Sequence, residues 1–217
     1  MKRLCTVVGA VVVGCSAGFG FAAGAADAAS HALIVGGKGE YAHLSDELIS
    51  SAFGGYFAGY DQRVSVDFPG TNDFKQSVDI GATNLYDAVL ALTDTASPSY
   101  DSNYFITIGG VSEGAPSATA VRQQLQALRD NHNPAAPSPD RLNAAVYGYP
   151  SKALRLGTGF QPFPVTEYDL LYVFAQYDGV ADFPDNPFNL LAVTNALMGG
   201  EQLHVDAAQF PILTQAT

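Results

Sequence analysis

Cysteine is nearly missing from this chain. The only two, Cys5 and Cys15, fall at the extreme N-terminus. If that segment is removed, the remaining protein has no disulfide framework, no thiolate metal site and no cysteine nucleophile. Positive charge is also scarce, with 10 Lys and Arg against 21 Asp and Glu, a net charge of -11 and a pI near 4.5. Sequence-independent binding to phosphate backbones therefore has no electrostatic support, and no nucleic-acid partner is expected. No metal or nucleotide motif is present: "GGKGE" lacks the Lys-Ser/Thr ending and the spacing of a P-loop, so no cofactor is expected. Tryptophan is absent, and the longest apolar run is shorter than the ~20 residues needed to span a bilayer.

What is present is a 217-residue chain, 47% hydrophobic, long enough for one sizeable core. Its start reads as an export signal covering residues 1–28, with residues 29–217 as one domain. Lys2 and Arg3 are followed by the apolar "LCTVVGAVVVG" and the small residues of "AAGAADAAS". Cleavage after Ala26-Asp27-Ala28 would release a secreted chain. "VVGC" loosely matches a lipobox, which would instead leave a chain lipid-anchored through Cys15 at the cell envelope; the missing Leu favours simple cleavage.

Beyond residue 30, apolar runs alternate with amphipathic ones. "HALIVGG", "QRVSVDFPG", "SNYFITIGG", "RLNAAVYGYP" and "YDLLYVFAQYD" read as strands. "LSDELISSAFGGYFAGY" reads as a helix capped by Ser45, and "FKQSVDIGATNLYDAVLALTD" and "APSATAVRQQLQALRD" as two more. "NPFNLLAVTNALMGG" is expected to be a helix with a glycine stop, and "LGTGFQPFPVTEY" a loop or flap. Continuous apolar strands separated by helices predict a mostly parallel sheet covered on both faces, a three-layer α/β fold.

Gly110-Val111-Ser112-Glu113-Gly114 fits G-x-S-x-G, the turn that lifts a serine hydroxyl above a sheet edge between strand and helix. Chance supplies such a pentapeptide in roughly one chain in seven of this composition, so the setting carries the weight. An apolar run precedes the motif, a helical pattern follows, and Pro116 suits the first helical turn. A serine nucleophile needs a base. The order serine, acid, histidine leaves His132 or His204, and only His204 has a strand-end acid between itself and the serine. Asp178, ending "LLYVFAQYD", is the expected acid, with Asp182 as fallback; Asp185 and Asp206 read as surface charges. Oxyanion donors would be the backbone N–H of Glu113 and one from "GGKGE", where Gly37 and Lys38 are candidates.

These residues, with "ALIVGGKG", "FPGTNDFKQSVDIGATNL", "IGGVSEGA" and above all "YDGVADFPDNPFNLLAVTNALMGG" before "LHV", resemble the PE-PPE domain family. That family comprises cutinase- and lipase-like serine hydrolases of mycobacterial-type envelope proteins. The likeness runs from about His31 to His204. It implies an α/β-hydrolase fold of the cutinase type and a catalytic triad on Ser112, Asp178 and His204. It also implies esterase activity on acyl esters, or acyl transfer onto trehalose-type glycolipids. Two positions depart from the family pattern. Lys38 stands where Thr is usual, and Glu113 where Gln is usual, which places a carboxyl beside the elbow. Three functions follow as expectations: an exported serine esterase or lipase, an acyltransferase using the same acyl-enzyme, and an inactive hydrolase fold that binds envelope lipid or a partner.

Overall fold

The computed structural model describes residues 4–8, 11–12, 28–186 and 188–206. Strands β1 (Leu4–Val8), β2 (Val11–Val12), β3 (Ala29–Val35), β4 (Gln62–Val66), β5 (Tyr104–Val111), β6 (Leu142–Tyr147) and β7 (Asp169–Phe174) form one sheet. Their order is β2-β1-β7-β6-β5-β3-β4. The five strands β3 to β7 run parallel. Parallel neighbours require crossovers, and the helical segments supply them.

Alternate residues of each strand point to opposite faces, and each face has its own apolar layer. On one side Leu33, Val35, Ile106, Ile108, Ala144, Val146 and Leu170 pack with α2 (Phe74–Thr93) and α3 (Ala115–Asp130), chiefly through Leu85, Val89, Val121 and Leu125. On the other, Ala32, Ile34, Ala145, Tyr147, Leu171 and Val173 pack against Ile49 and Phe53 of α1 (Asp46–Gly55), with Phe57 and Tyr60 beyond it. Each fully buried Leu, Ile or Phe here contributes about 1.5–3 kcal/mol. The three-layer α/β expectation holds.

Local signals behave as their chemistry requires. Ser45 accepts from the Leu48 N–H at 3.2 Å and caps α1. Gly81 permits close approach of α2 to Phe68 and to the Ser117 hydroxyl of α3, which donates to the Val78 carbonyl at 3.0 Å.

Four boundaries differ from the sequence reading. The helix expected to continue beyond Ser51 breaks at Ala52–Gly54, where Phe53 and Gly54 take positive φ. A short helix, α4 (Lys152–Thr158), precedes the flap and takes in its first residues. β7 ends at Phe174, so Asp178 lies in the turn beyond the strand. The glycine pair Gly199-Gly200 does not stop the last helix: α5 runs from Leu190 to Asp206 and carries His204 in its final turn. Glycine weakens a helix by only about 1 kcal/mol per residue, which tertiary packing can override.

β1 falls inside the stretch read as an export signal. It pairs in parallel with β7, from Leu4 opposite Leu170 to Val8 opposite Phe174. Cys15 and the cleavage positions Ala26 and Asp27 lie outside the described residues.

Candidate active site

β5 runs directly into a 3-10 turn, Ser112–Gly114, and then into α3. Ser112 has φ +53, a left-handed conformation that costs a non-glycine residue about 1–3 kcal/mol. Both flanking glycines are required by backbone crowding. A Cβ on Gly110 would lie 2.3 Å from the Gly114 carbonyl oxygen, and one on Gly114 would lie 2.2 Å from that of Gly36. Strand, turn and helix therefore aim the serine at the carboxyl edge of the sheet, where α/β folds place their ligands.

The turn after β7 and the last turn of α5 meet this serine. Ser112 Oγ lies 2.7 Å from His204 Nε2, and His204 Nδ1 lies 2.6 Å from Asp178 Oδ2. Asp178 is 0% exposed, and its Oδ1 accepts from the Val180 and Ala181 N–H groups at 2.7 and 3.1 Å. His204 is 6% exposed; its ring packs on Tyr147 with centroids 5.6 Å apart and rests over Gly148. Gly148 has φ +65, and a Cβ there would sit 2.4 Å from His204 Cε1.

All three residues named from the sequence come together. Asp182, the fallback acid, does not meet His204: its carboxylate accepts the Tyr177 N–H at 2.9 Å and its own N–H bonds the Asp178 carbonyl, which braces the acid turn. His31 and His43 lie near Asp101 and Asp67, and His132 occupies the turn after α3. Among the described residues no group of three or more His, Cys, Asp or Glu side chains is arranged to hold a metal.

The oxyanion candidates need one correction. The Gly37 N–H donates to the Tyr41 carbonyl at 2.8 Å, committed to the tight turn that follows β3. It is not free for a substrate, which leaves Lys38 and Glu113 as the candidate donors. Gly37 still matters by position, since a Cβ there would come within 3.5 Å of Ser112 Cβ. Gly70, at φ +57, supports this loop by accepting the Gly39 N–H at 2.9 Å. Glu113 sits in the first turn leading into α3, where backbone N–H groups have no intrahelical acceptor.

The Glu113 side chain turns inward and is 1% exposed. Neither carboxyl oxygen has a hydrogen-bond partner of good geometry. Burial pushes its pKa above the ordinary carboxylate value, and the Ser77 hydroxyl and Lys38 ammonium only partly oppose this. Sequence reasoning missed Ser77, which lies on the buried face of α2, and Gly148. For Gly148 the available signal was a glycine directly after the strand "LNAAVY", a position open to left-handed backbone.

Beside the acid turn lies a cavity of about 370 Å³, bordered by Ser151, Arg155, Phe163, Tyr172, Phe183 and Asp182. A larger one, about 530 Å³, lies around Arg129, His132 and Glu167 at the far end of α3, away from Ser112.

The sequence profile of the PE-PPE domain matches residues 61–216. The chain belongs to the PE-PPE domain family. Among curated relatives in Mycobacterium tuberculosis, it is 36% identical to "Diacyltrehalose acyltransferase Chp2" over 44% of this chain and 31% of that protein. It is 29% identical to "Esterase PE16" over 72% of this chain and 30% of that protein. "SL1278 acyltransferase Chp1" is 34% identical over 57% and 30%. The alignments thus span about a third of the length of these relatives. The PE-PPE fold is shared with a cutinase-like protein from Cryptococcus sp., at a TM-score of 0.50 and 16% identity over 84% of this chain and 96% of that one.

Proposed function

We propose that the protein is a serine esterase acting on acyl esters through an acyl-enzyme on Ser112. The observation that carries this reading is the continuous hydrogen-bond chain Ser112–His204–Asp178, with contacts of 2.7 and 2.6 Å. Ser112 Oγ attacks the ester carbonyl while His204 Nε2 takes its proton. The tetrahedral oxyanion is held by the Glu113 and Lys38 N–H groups. Collapse breaks the ester C–O bond, His204 protonates the leaving alkoxide, and water then attacks the acyl-enzyme with His204 again as base. Asp178 holds the Nδ1 proton and stabilises the imidazolium.

A second reading, acyl transfer, keeps every step up to the acyl-enzyme and replaces water by a sugar hydroxyl of a glycolipid acceptor. It is favoured by the acyltransferase names of two relatives and by the cavity of mixed aromatic and charged lining beside the acid turn. Export to the cell envelope is part of the same proposal. It predicts a secreted protein whose N-terminal mass shows residues 1–28 removed.

A fluorophosphonate probe decides between chemistry and an inactive binding fold. The expected result is labelling of the wild type and none of Ser112→Ala. A folded wild type that does not label overturns both enzyme readings. Product analysis with and without a disaccharide glycolipid acceptor then separates ester hydrolysis from transfer.

A further inference from the structure

Glu113 is adjacent in sequence to the proposed nucleophile, is 1% exposed, and has no hydrogen bond of good geometry to either carboxyl oxygen. A buried charge without partners is strongly disfavoured, so such a group sheds its charge by binding a proton. Its backbone and side chain serve different places: the N–H belongs to the turn facing the Ser112 site, and the carboxyl is packed beneath it toward α2.

The charged groups around it are few. The loop after β3 contributes the Lys38 ammonium, which acts on it, and Glu40 at the next turn. On α2, Ser77 faces it as a hydroxyl: Ser77 Oγ accepts the Thr71 N–H at 3.0 Å and lies 3.2 Å from Thr71 Oγ1, so its single O–H is the one neutral donor on that side. Asp73 is occupied in capping Gln76, and Lys75 pairs with Asp79 on an exposed face. The first charged residue of α3 is Arg122, held by Thr166 and the Tyr168 carbonyl. Across the nucleophile stand His204 and Asp178, bonded to each other.

We infer that Glu113 is a positioning residue that must carry a proton for the Ser112 site to work. Its neutral carboxyl packs as an amide would and fixes the turn that presents the Glu113 N–H. Its ionisation places a buried anion beneath the turn whose N–H serves the Ser112 site, one residue from the nucleophile. The inference rests on the esterase reading above. Burial raising the Glu113 pKa agrees with it.

The repulsion between a buried carboxylate and an oxyanion one residue away is on the order of 10- to 100-fold in rate. The test is kcat and KM for a soluble acyl ester across pH, for wild type, Glu113→Gln and Ser77→Ala. Wild type should show kcat falling with rising pH by that factor, with KM little moved. Glu113→Gln should lose the falling limb, read as the ratio of high-pH to plateau rate within each protein. Ser77→Ala, lacking a hydroxyl that favours the ionised form, should shift the limb to higher pH. Identical limbs in wild type and Glu113→Gln overturn the inference.

A second measurement needs no catalysis and guards against a misfolded variant. In folded Ser112→Ala protein, infrared spectra should keep a protonated-carboxyl band above pH 4.5, the ordinary value for this group, and the band should vanish in Ser112→Ala/Glu113→Gln. Its absence from the folded protein also overturns the inference. A protein that shows the band yet hydrolyses no ester sinks the esterase reading and the switch with it. One that hydrolyses ester with an unchanged limb sinks the switch alone.

Discussion

Two buried carboxyl groups flank the candidate nucleophile, and they are built in opposite ways. Asp178, in the turn after β7, is 0% exposed and spends both oxygens on donors: two backbone N–H groups and the His204 ring. Glu113, at the elbow, is 1% exposed and has no backbone or ring donor of good geometry, only the Ser77 hydroxyl and the Lys38 ammonium acting on it. Equal burial therefore has unequal consequences. At Asp178 the donors fix the carboxyl that orients the His204 ring, whereas at Glu113 burial without such donors pushes the pKa above the ordinary carboxylate value.

The strongest way to break this contrast is Asp178→Asn. It preserves shape but removes the charge opposite His204, and kcat for an acyl ester should fall by about 10³- to 10⁴-fold with the fold intact by circular dichroism. A loss of less than tenfold would mean that the buried aspartate is only structural. Glu113→Gln comes next, with the change of about 10- to 100-fold in pH ratio described above.

Stability sharpens the same comparison. Because the folded-state pKa of Glu113 is raised, its contribution is fully present below 4.5 and is lost as pH rises through the folded value. Wild type should therefore lose Tm relative to Glu113→Gln as pH increases. The gap should be about 2–4 °C for each kcal/mol of linkage in a chain of this size, and scanning calorimetry at several pH values reads it. A constant gap across pH would show that folding leaves the Glu113 pKa unshifted. The smallest effect is expected for Asp182→Asn. The amide oxygen can still accept the Tyr177 N–H, so esterase kcat should change by less than about threefold; a loss like that of Asp178→Asn would restore Asp182 as the acid.

Much of the site was legible because its signals are local. The elbow's strand-before, helix-after setting follows from periodicity, and its glycines mark backbone crowding that only missing side chains relieve. Ser112, Asp178 and His204 could be named because the order of elements places them in sequence on one sheet edge. Legibility failed where long-range packing decides. His204 was expected beyond a glycine stop and stands inside α5. Asp178 was expected at a strand end and sits in a turn braced by Asp182. The Gly37 amide looked available until its bond to the Tyr41 carbonyl closed the loop on itself.

The sequence by itself determined the layered parallel architecture, the family and the three residues that meet at the sheet edge. Hydrophobic period, turn chemistry and element order are properties of neighbours along the chain. Only the tertiary structure decided which carboxyl receives donors and that the Gly37 N–H is committed to the Tyr41 carbonyl. It also decided that Glu113 points inward, beneath the serine it follows. Those outcomes depend on burial and on hydrogen-bond geometry between segments far apart in sequence, which no local pattern encodes.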